Sequence, residues 1–409
     1  MLVVLLLGLL LLREPRFAAV EERFLSWLIP HSQAGGPPVP LTVVEIGQDP
    51  LTTPKSAQEP TGSPTPGTDN SGSAVSPLEF ALFLQSTLDF QPGVIAFENI
   101  LRWRERDRDQ EQVFLDQAMR VPKLLLAAEL GTQTDPDAPV AELRGFPQVS
   151  GRRGDLPAFS GFARQPNEDL RLISTAGFIN FPEEITSGIR VPMLFQYRGE
   201  VIPSFTLQAI LLWLRVTPAD VKIVLGSHIA LPQDRRVPID ADGSLLIDPT
   251  AARRARRLSL NELLLAAQQR DSAAADAQKL DLNDQIVLAR TPGNPLSPPD
   301  LFAAAIATIQ ANKYLRRVNV LFDCLMLLLV GAVAAALRRV DRTDLLLYGI
   351  AFTAAYCLIA IGTLSRWSIW LPGVLPLGAA WIAILIGLVF HDKTKDARGV
   401  DISIPPPIA

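Results

Sequence analysis

Two acidic residues stand at the ends of short β-branched runs, a pattern typical of buried strands. Glu45 lies near the end of the run 41–46, and Glu98 directly follows the run 94–97. If these strands are neighbours in a parallel sheet, both acids lie at its carboxyl edge, where ligands of such sheets bind. Together with Asp49 they could bind a hard cation or share a proton. The alternative interpretation is that the acids cap the following turn or helix.

Weaker ligand-binding candidates occur later, in an acidic turn and in a basic cluster. Asp240 and Asp242 resemble half of a calcium loop, but the later ligands are missing, which favours a hairpin turn between the flanking strands. Arg253 and Arg254 begin a basic cluster that ends at Arg257. This cluster could bind an anionic ligand or lipid headgroups, or it is the solvated start of a helix.

The sequence offers no pattern typical of a metal centre or of a catalytic site. Its three histidines are not spaced as zinc ligands, and both cysteines lie in strongly apolar runs. It contains no nucleophile elbow and no phosphate loop. We therefore expect no metal, no cofactor and no enzymatic activity, with an extracytoplasmic hydrolase as the least favoured alternative. The net charge of −4 gives no reason to expect nucleic acid as a partner.

Three apolar runs follow one another near the end of the chain, at 318–337, 345–364 and 369–390. Each has the roughly 20 residues that cross a bilayer, so we expect three transmembrane helices, the third kinked by its prolines. Three arginines lie between the first two runs and indicate a cytoplasmic loop. Alternation then places the cytoplasmic tail 391–409 inside and the large polar region outside, as in a multi-pass membrane protein.

The first residues, 1–12, are almost wholly apolar but too few to span a bilayer. We interpret them as a partial or truncated transmembrane helix with a cytoplasmic N-terminus, or as a short tilted anchor. The polar region 13–317 that follows is then an extracytoplasmic domain.

Within this region, strand-like and helix-like patterns alternate. The run 41–46 precedes a helical pattern at 78–88, the run 94–97 precedes another at 104–119, and a further strand begins at 123. Such alternation predicts an α/β domain with a mainly parallel sheet and right-handed crossovers. The stretch 52–76 is rich in Pro, Thr, Ser and Gly, and we expect it to be a disordered surface insertion.

Several segments occur in an order that resembles the CHASE type-2 domain. They are 43–46, 94–101, 177–180, 190–192, 203–205 and 238–247, followed by three apolar runs. The resemblance covers about residues 1–390. It implies an extracytoplasmic sensory domain of the kind found on bacterial adenylate cyclases, histidine kinases and serine/threonine kinases.

The chain departs from the pattern of this family at three places. The family has two aspartates where Gly47 and Gln48 stand, a small and apolar strand end where Arg290 stands, and a histidine in the helix that follows Asp300. The catalytic domain that commonly follows the membrane helices does not follow here. We therefore expect another ligand, or none, and a separate output protein.

Two hypotheses follow from these observations. The first is a membrane-anchored sensor of a small molecule or envelope ligand that signals through a separate kinase, cyclase or regulator. The second is an envelope structural or assembly protein whose sensing site has degenerated. In that case Gly331, Gly349 and Gly378 would bring membrane helices together in a homo-oligomer.

Overall fold

The computed structural model describes residues 15–32, 37–47, 75–103, 108–132, 143–181, 189–271, 280–292, 300–318, 320–336 and 342–396. The contacts divide the chain into two compact units. Residues 36–314 form the α/β unit, and residues 1–35 together with 315–409 form the helical unit. The expected insertion 52–76 lies outside the described residues except for Val75 and Ser76. The expected apolar segment 1–12 and most of the tail also lie outside them.

The described helices are α1 (Pro15–Leu28), α2 (Pro77–Leu88), α3 (Arg108–Ala118), α4 (Glu168–Ile173), α5 (Phe205–Leu214), α6 (Leu260–Asp271), α7 (Leu301–Gln310), α8 (Val320–Ala336), α9 (Arg342–Trp367) and α10 (Val374–Asp396). The described strands are β1 (Leu41–Glu45), β2 (Val94–Phe97), β3 (Leu124–Gly131), β4 (Gln148–Ser150), β5 (Ala158–Phe159), β6 (Gly161–Arg164), β7 (Thr175–Phe178), β8 (Arg190–Pro192), β9 (Leu194–Tyr197), β10 (Glu200–Pro203), β11 (Lys222–Val224), β12 (His228–Leu231), β13 (Arg235–Pro238), β14 (Ser244–Leu246), β15 (Arg256–Ser259), β16 (Ile286–Arg290), β17 (Arg316–Arg317) and β18 (Ile369–Trp370).

The main sheet of the α/β unit has the order β15-β1-β16-β2-β3, and every neighbouring pair in it is parallel. Strand β3 also pairs with β7 in parallel and with β6 in antiparallel orientation. The prediction of a mixed α/β domain with a mainly parallel sheet is therefore confirmed.

One expectation about this sheet is wrong: β1 and β2 are not neighbours. Strand β16, which comes from the far end of the α/β unit, lies between them, with Leu288 opposite both Val43 and Ala96. The local alternation of strand and helix patterns could not show this, because the inserted strand is almost two hundred residues away in sequence from β2.

The sheet is covered on both faces, which explains why its strands are apolar on both sides. In β1, Val43 belongs to one core cluster and Val44 to the other. Helices α5 and α7 lie over the face of Val43 through side chains such as Phe205, whereas α2, α3 and α6 lie over the face of Val44 through side chains such as Phe80.

The helical unit contains α1 and the three apolar helices α8, α9 and α10. Among the described residues, the only helix that is long and apolar enough to cross a membrane is in α9, at residues 343–367; the apolar stretches of α8 and α10 are shorter. Gly349 packs inside this unit, because a Cβ there would lie 2.6 Å from Cδ1 of Ile384.

The last apolar run differs from its expected form. It does not begin as a kinked helix at 369, because Ile369 and Trp370 pair as a strand with β17. Helix α10 begins only at Val374, after Pro372. Pro376 then lies in the first turn, where the amide of a residue has no partner within the helix, so it needs no kink.

Candidate functional site at the carboxyl edge of the sheet

A group of charged side chains meets where the central strands of the main sheet end. It consists of Glu45, Glu98, Arg257, Arg290 and Asp300, and we call it the edge cluster. Nη2 of Arg290 donates to Oε1 of Glu45 at 2.7 Å, and Nη1 donates to Oδ1 of Asp300 at 2.5 Å. Nη2 of Arg257 lies 2.7 Å from the same oxygen of Asp300. One arginine therefore holds two acids, and one acid holds two arginines.

The strand register explains why these side chains meet. Glu45 is opposite Arg290 on one side, and Val43, two residues earlier, is opposite Arg257 on the other. Residues that are opposite in a sheet, or two apart in a strand, point to the same face. Val43 faces α5 and α7. The edge cluster therefore lies on that face, next to the start of α7, where Asp300 is the preceding residue.

Glu98 is the most deeply buried member of the cluster, with 1% of its surface exposed. It follows Phe97, which is opposite Ala289, and its amide donates to the carbonyl of Ala289 at 3.1 Å. This position brings its carboxylate near Arg290, whose pKa is raised. Burial alone would lower the pKa of Arg290, but Asp300, Glu98 and Glu45 outweigh that effect and keep the guanidinium charged.

Asp300 differs from the other members because it lies outside the sheet. Its backbone is left-handed, with φ 64°, and its side chain makes no cap hydrogen bond to α7. Its carbonyl accepts from the amide of Ala304 at 2.8 Å. Burial acts to raise the pKa of Asp300, but the hydrogen bonds and charges of Arg257 and Arg290 outweigh it and hold the pKa below its usual value. The carboxylate is thus charged and committed to the arginines.

Uncharged groups fix the strand ends around the cluster. The side-chain amide of Asn99 donates to Oγ1 of Thr291, and its oxygen accepts from the amide of Thr291 at 3.1 Å. The amide of Ile46 donates to the carbonyl of Arg290 at 2.9 Å. These bonds tie the ends of β1, β16 and β2 together, so the charged side chains start from a rigid base.

The structure places the main sequence candidates as follows. Glu45 and Glu98 lie at the same edge, on the two sides of β16, and Arg290 lies between them. Asp49 lies outside the described residues. Because a guanidinium separates the two carboxylates, the arrangement does not favour a shared proton or a bound cation. Within the described part of the chain, no group of three His, Cys, Asp or Glu could hold a metal ion.

The acidic turn lies apart from the edge cluster. The carboxylate of Asp240 pairs with Arg190, and Oδ1 of Asp242 accepts from the amide of Ser244 at 3.0 Å and from its hydroxyl at 2.7 Å. The turn is not a hairpin, because β13 pairs with β12 and β14 pairs with β8. Both aspartates are thus engaged within a turn that joins two sheets.

The basic cluster divides between two places. Arg253 and Arg254 end a 3-10 helix, Pro249–Arg254, that comes before β15 and so lies towards the amino end of that strand. Arg257, from within β15, is the member of this cluster that reaches the carboxyl edge.

Arg290 and Asp300 are the two site residues that pattern reasoning missed. Arg290 stands at the end of the last strand of the α/β unit, where the chain departs from the CHASE type-2 pattern, and Asp300 stands just before the last helix. The departure at Arg290 was the available signal, since a positive charge at this strand end can compensate the two acids Glu45 and Glu98.

A family model described as CHASE2 domain matches residues 2–294, well over half of the chain. No curated protein and no solved structure matches it significantly. CHASE2 domains are extracytoplasmic sensory domains and are not themselves catalytic. The match confirms the resemblance found in the segments of the sequence, and this chain belongs to the CHASE2 domain family.

Proposed function

We propose that this chain is a membrane-anchored sensor of the bacterial inner membrane. Its α/β unit recognises a small molecule or envelope ligand outside the cytoplasm, at the edge cluster. The signal passes through the membrane helices to a separate cytoplasmic kinase, cyclase or regulator. The chain itself performs no catalysis.

The observation that carries this proposal is the position of Asp300. Two arginines of the sheet hold its carboxylate, and the next residue begins α7. All ten residues of α7 are buried, and the chain then continues through residues 311–319 into α8. A ligand that changes how the arginines hold Asp300 therefore acts on the segment that leads towards the membrane. It transmits a signal only if it binds two states of that segment with different affinity.

The exposed surfaces of the apolar helices support a membrane location. Leu321 of α8 is 75% exposed, Leu358 of α9 is 71% exposed, and Leu385 of α10 is 56% exposed. Apolar surface of this extent is unfavourable in water and suits contact with lipid. We propose that all three helices cross the bilayer, with the polar domain outside and the C-terminus in the cytoplasm.

The test is to extract the intact protein from native membranes in mild detergent and to identify what co-purifies. A stoichiometric kinase, cyclase or regulator whose activity changes in Asp300→Asn would support the sensor. The matched variant is Asp284→Asn, because Asp284 also has a left-handed backbone and also pairs with an arginine, but lies before β16 instead of after it. Recovery of only copies of the chain, or of envelope structural proteins, would contradict the proposal and favour an assembly role.

A further inference from the structure

Two guanidinium groups converge on a single oxygen atom in the edge cluster. Nη1 of Arg290 lies 2.5 Å and Nη2 of Arg257 lies 2.7 Å from Oδ1 of Asp300. The arginines come from β16 and β15, which lie on opposite sides of β1, so the sheet sets the distance between them. Convergent, charge-assisted donors of this kind are how proteins recognise carboxylates and phosphates.

Asp300 and Arg257 form the solvent-facing side of the cluster. Their side chains are 32% and 41% exposed, whereas those of Arg290 and Glu45 are 15% and 18% exposed. A molecule arriving from solvent therefore meets the Asp300 carboxylate first, and the inner pair of Arg290 and Glu45 stays in place beneath it. The carboxylate is also supplied from outside the sheet, so its departure leaves every strand pairing intact.

The donors that bind Asp300 favour an anion as the arriving molecule. The cluster has three carboxylates and two guanidiniums, and Glu45 and Glu98 remain when Asp300 leaves. Two negative and two positive groups then remain, Nη2 of Arg290 keeps Glu45, and the donors that faced Asp300, Nη1 of Arg290 and Nη2 of Arg257, lack this acceptor. An incoming oxyanion restores the original arrangement, whereas an incoming cation would leave these two donors without an acceptor.

We infer that the edge cluster binds a small oxyanion, a carboxylate or phosphoryl group, which replaces the side chain of Asp300 on Arg257 and Arg290. This inference rests on the proposed function, because it names the ligand class of the same site. Binding exchanges one acceptor for another and changes no covalent bond. It releases the residue directly before α7, and so links the chemistry of recognition to the segment proposed to transmit the signal.

Intramolecular competition sets the expected affinity. In the wild type the arginines are already occupied, so the apparent affinity for an oxyanion is reduced by the fraction of time that Asp300 is displaced. Asp300→Gly removes the competitor and suits the left-handed backbone, which glycine adopts without strain. We expect this variant to bind inorganic phosphate with a dissociation constant about ten-fold or more below that of the wild type.

The experiment uses the full chain in phosphatidylcholine nanodiscs, titrated with inorganic phosphate and separately with acetate at constant ionic strength set by chloride. Asp300→Asn, which also tolerates the backbone conformation, should give an intermediate gain and guards against misfolding of the glycine variant. Asp284→Gly is the control for a left-handed aspartate paired with an arginine elsewhere, and its affinity should match the wild type. Adding Arg290→Gln to Asp300→Gly should abolish the gain.

The inference is overturned if Asp300→Gly and Asp300→Asn bind both probes no more tightly than the wild type. It is also overturned if the gain survives Arg290→Gln. Nanodiscs that contain phosphatidylglycerol distinguish the source of the anion: weaker phosphate binding there makes a lipid headgroup the natural ligand, and unchanged binding makes it a soluble one. A gain in affinity without any effect on a cytoplasmic partner would uphold the ligand class and count against the signalling role alone.

Discussion

Glu21 in the helical unit and Asp300 in the α/β unit each hold the start of a helix, and they do so by different means. In the helical unit, Glu21 of α1 is fully buried and accepts hydrogen bonds from the amides of Gly373 at 3.0 Å and Leu375 at 3.1 Å, at the start of α10. In the α/β unit, Asp300 precedes α7 and is held by the side chains of two arginines, with a third of its own side chain exposed.

The difference separates a fixed contact from an exchangeable one. Backbone amides at a buried helix start cannot turn to another acceptor, and no solvent or ligand reaches them. Phe24, one turn after Glu21 in α1, closes this contact further, because a Cβ on Gly373 would overlap with the ring of Phe24. Arginine side chains at a half-exposed edge can bind any suitable anion. The first contact is therefore structural, and the second is suited to respond.

The largest expected effect is the loss of the fixed contact in Glu21→Ala. Two buried amides lose their acceptor, which should lower the free energy of unfolding of the helical unit by about 3 kcal/mol. Chemical denaturation in detergent micelles measures this change. Glu22→Ala is the matched control, since Glu22 is the next residue of α1 and is only half-buried. An equal loss of unfolding free energy in both variants would show that the amide contacts of Glu21 do not stabilise the helical unit.

The close approach of α1 to α10 can be broken from the other side with Gly373→Ala. The added methyl group meets the ring of Phe24, and such overpacking should destabilise the helical unit by about 2 kcal/mol. Phe24→Ala provides the space, so the double variant should be less destabilised than the sum of the two single variants. Strict additivity in this cycle would contradict direct packing between the two residues.

In the α/β unit, Arg290→Gln should have an effect similar to that of Gly373→Ala and smaller than that of Glu21→Ala, because Glu45 and Asp300 retain some contact with water. Glu45 and Asp300 each lose a charged donor, and we expect a loss of about 2 kcal/mol in unfolding free energy, below that of a fully buried pair. Arg253→Gln, an exposed arginine outside the cluster, should change stability by less than about 0.5 kcal/mol. If both variants lowered the free energy of unfolding by similar amounts, the edge cluster would not be a special source of stability.

A fall in pH should change the stability of the two units in opposite directions. The pKa of Asp300 is held below its usual value of 3.8, so its stabilising contribution is present above that pH and is lost as the pH falls through the lowered pKa. Glu21 lies outside the proposed membrane spans, and burial raises its pKa above 4.5, against the opposing amide hydrogen bonds. Ionisation of Glu21 in this buried site therefore costs stability, so the helical unit is most stable below pH 4.5 and loses part of its stability as the pH rises through the raised pKa, although the carboxylate keeps its amide contacts.

Denaturation of single-tryptophan variants, with Trp213 reporting on the α/β unit and Trp381 on the helical unit, measures both trends. Asp300→Asn should remove the loss of stability of the α/β unit in acid, and Glu21→Gln should flatten the opposite slope of the helical unit. If the unfolding free energy changed with pH in the same direction in both units, the roles assigned to Asp300 and Glu21 would be contradicted.

The sequence was sufficient for the parallel sheet, because β-branched runs alternate with helical patterns over residues 41–131. The capping box at the start of α6 is equally local: the amide and hydroxyl of Ser259 donate to Glu262, and the amide of Glu262 donates to Ser259. Both features depend on residues that are close in sequence, so a local pattern is enough to predict them.

Local sequence patterns could not predict which residues meet in the edge cluster. Glu45 and Glu98 could be placed at one edge, but not the arginine between them, because the position of β16 depends on pairing across almost the whole α/β unit. The role of Asp300 depends on a left-handed backbone and on two arginines from strands separated by β1. The start of α10 was misplaced for a similar reason, since β17 captures residues 369–370 as a strand.

The most direct test is hydrogen exchange of the Ala304 amide, which bonds to the carbonyl of Asp300, in the full chain in nanodiscs. We expect this amide to exchange faster in Asp300→Asn, and in the wild type with saturating phosphate, while the amides of Gly373 and Leu375 keep their rates. Unchanged exchange at Ala304 under both conditions would contradict the claim that the arginine-held carboxylate at the sheet edge is the responsive element of this sensor.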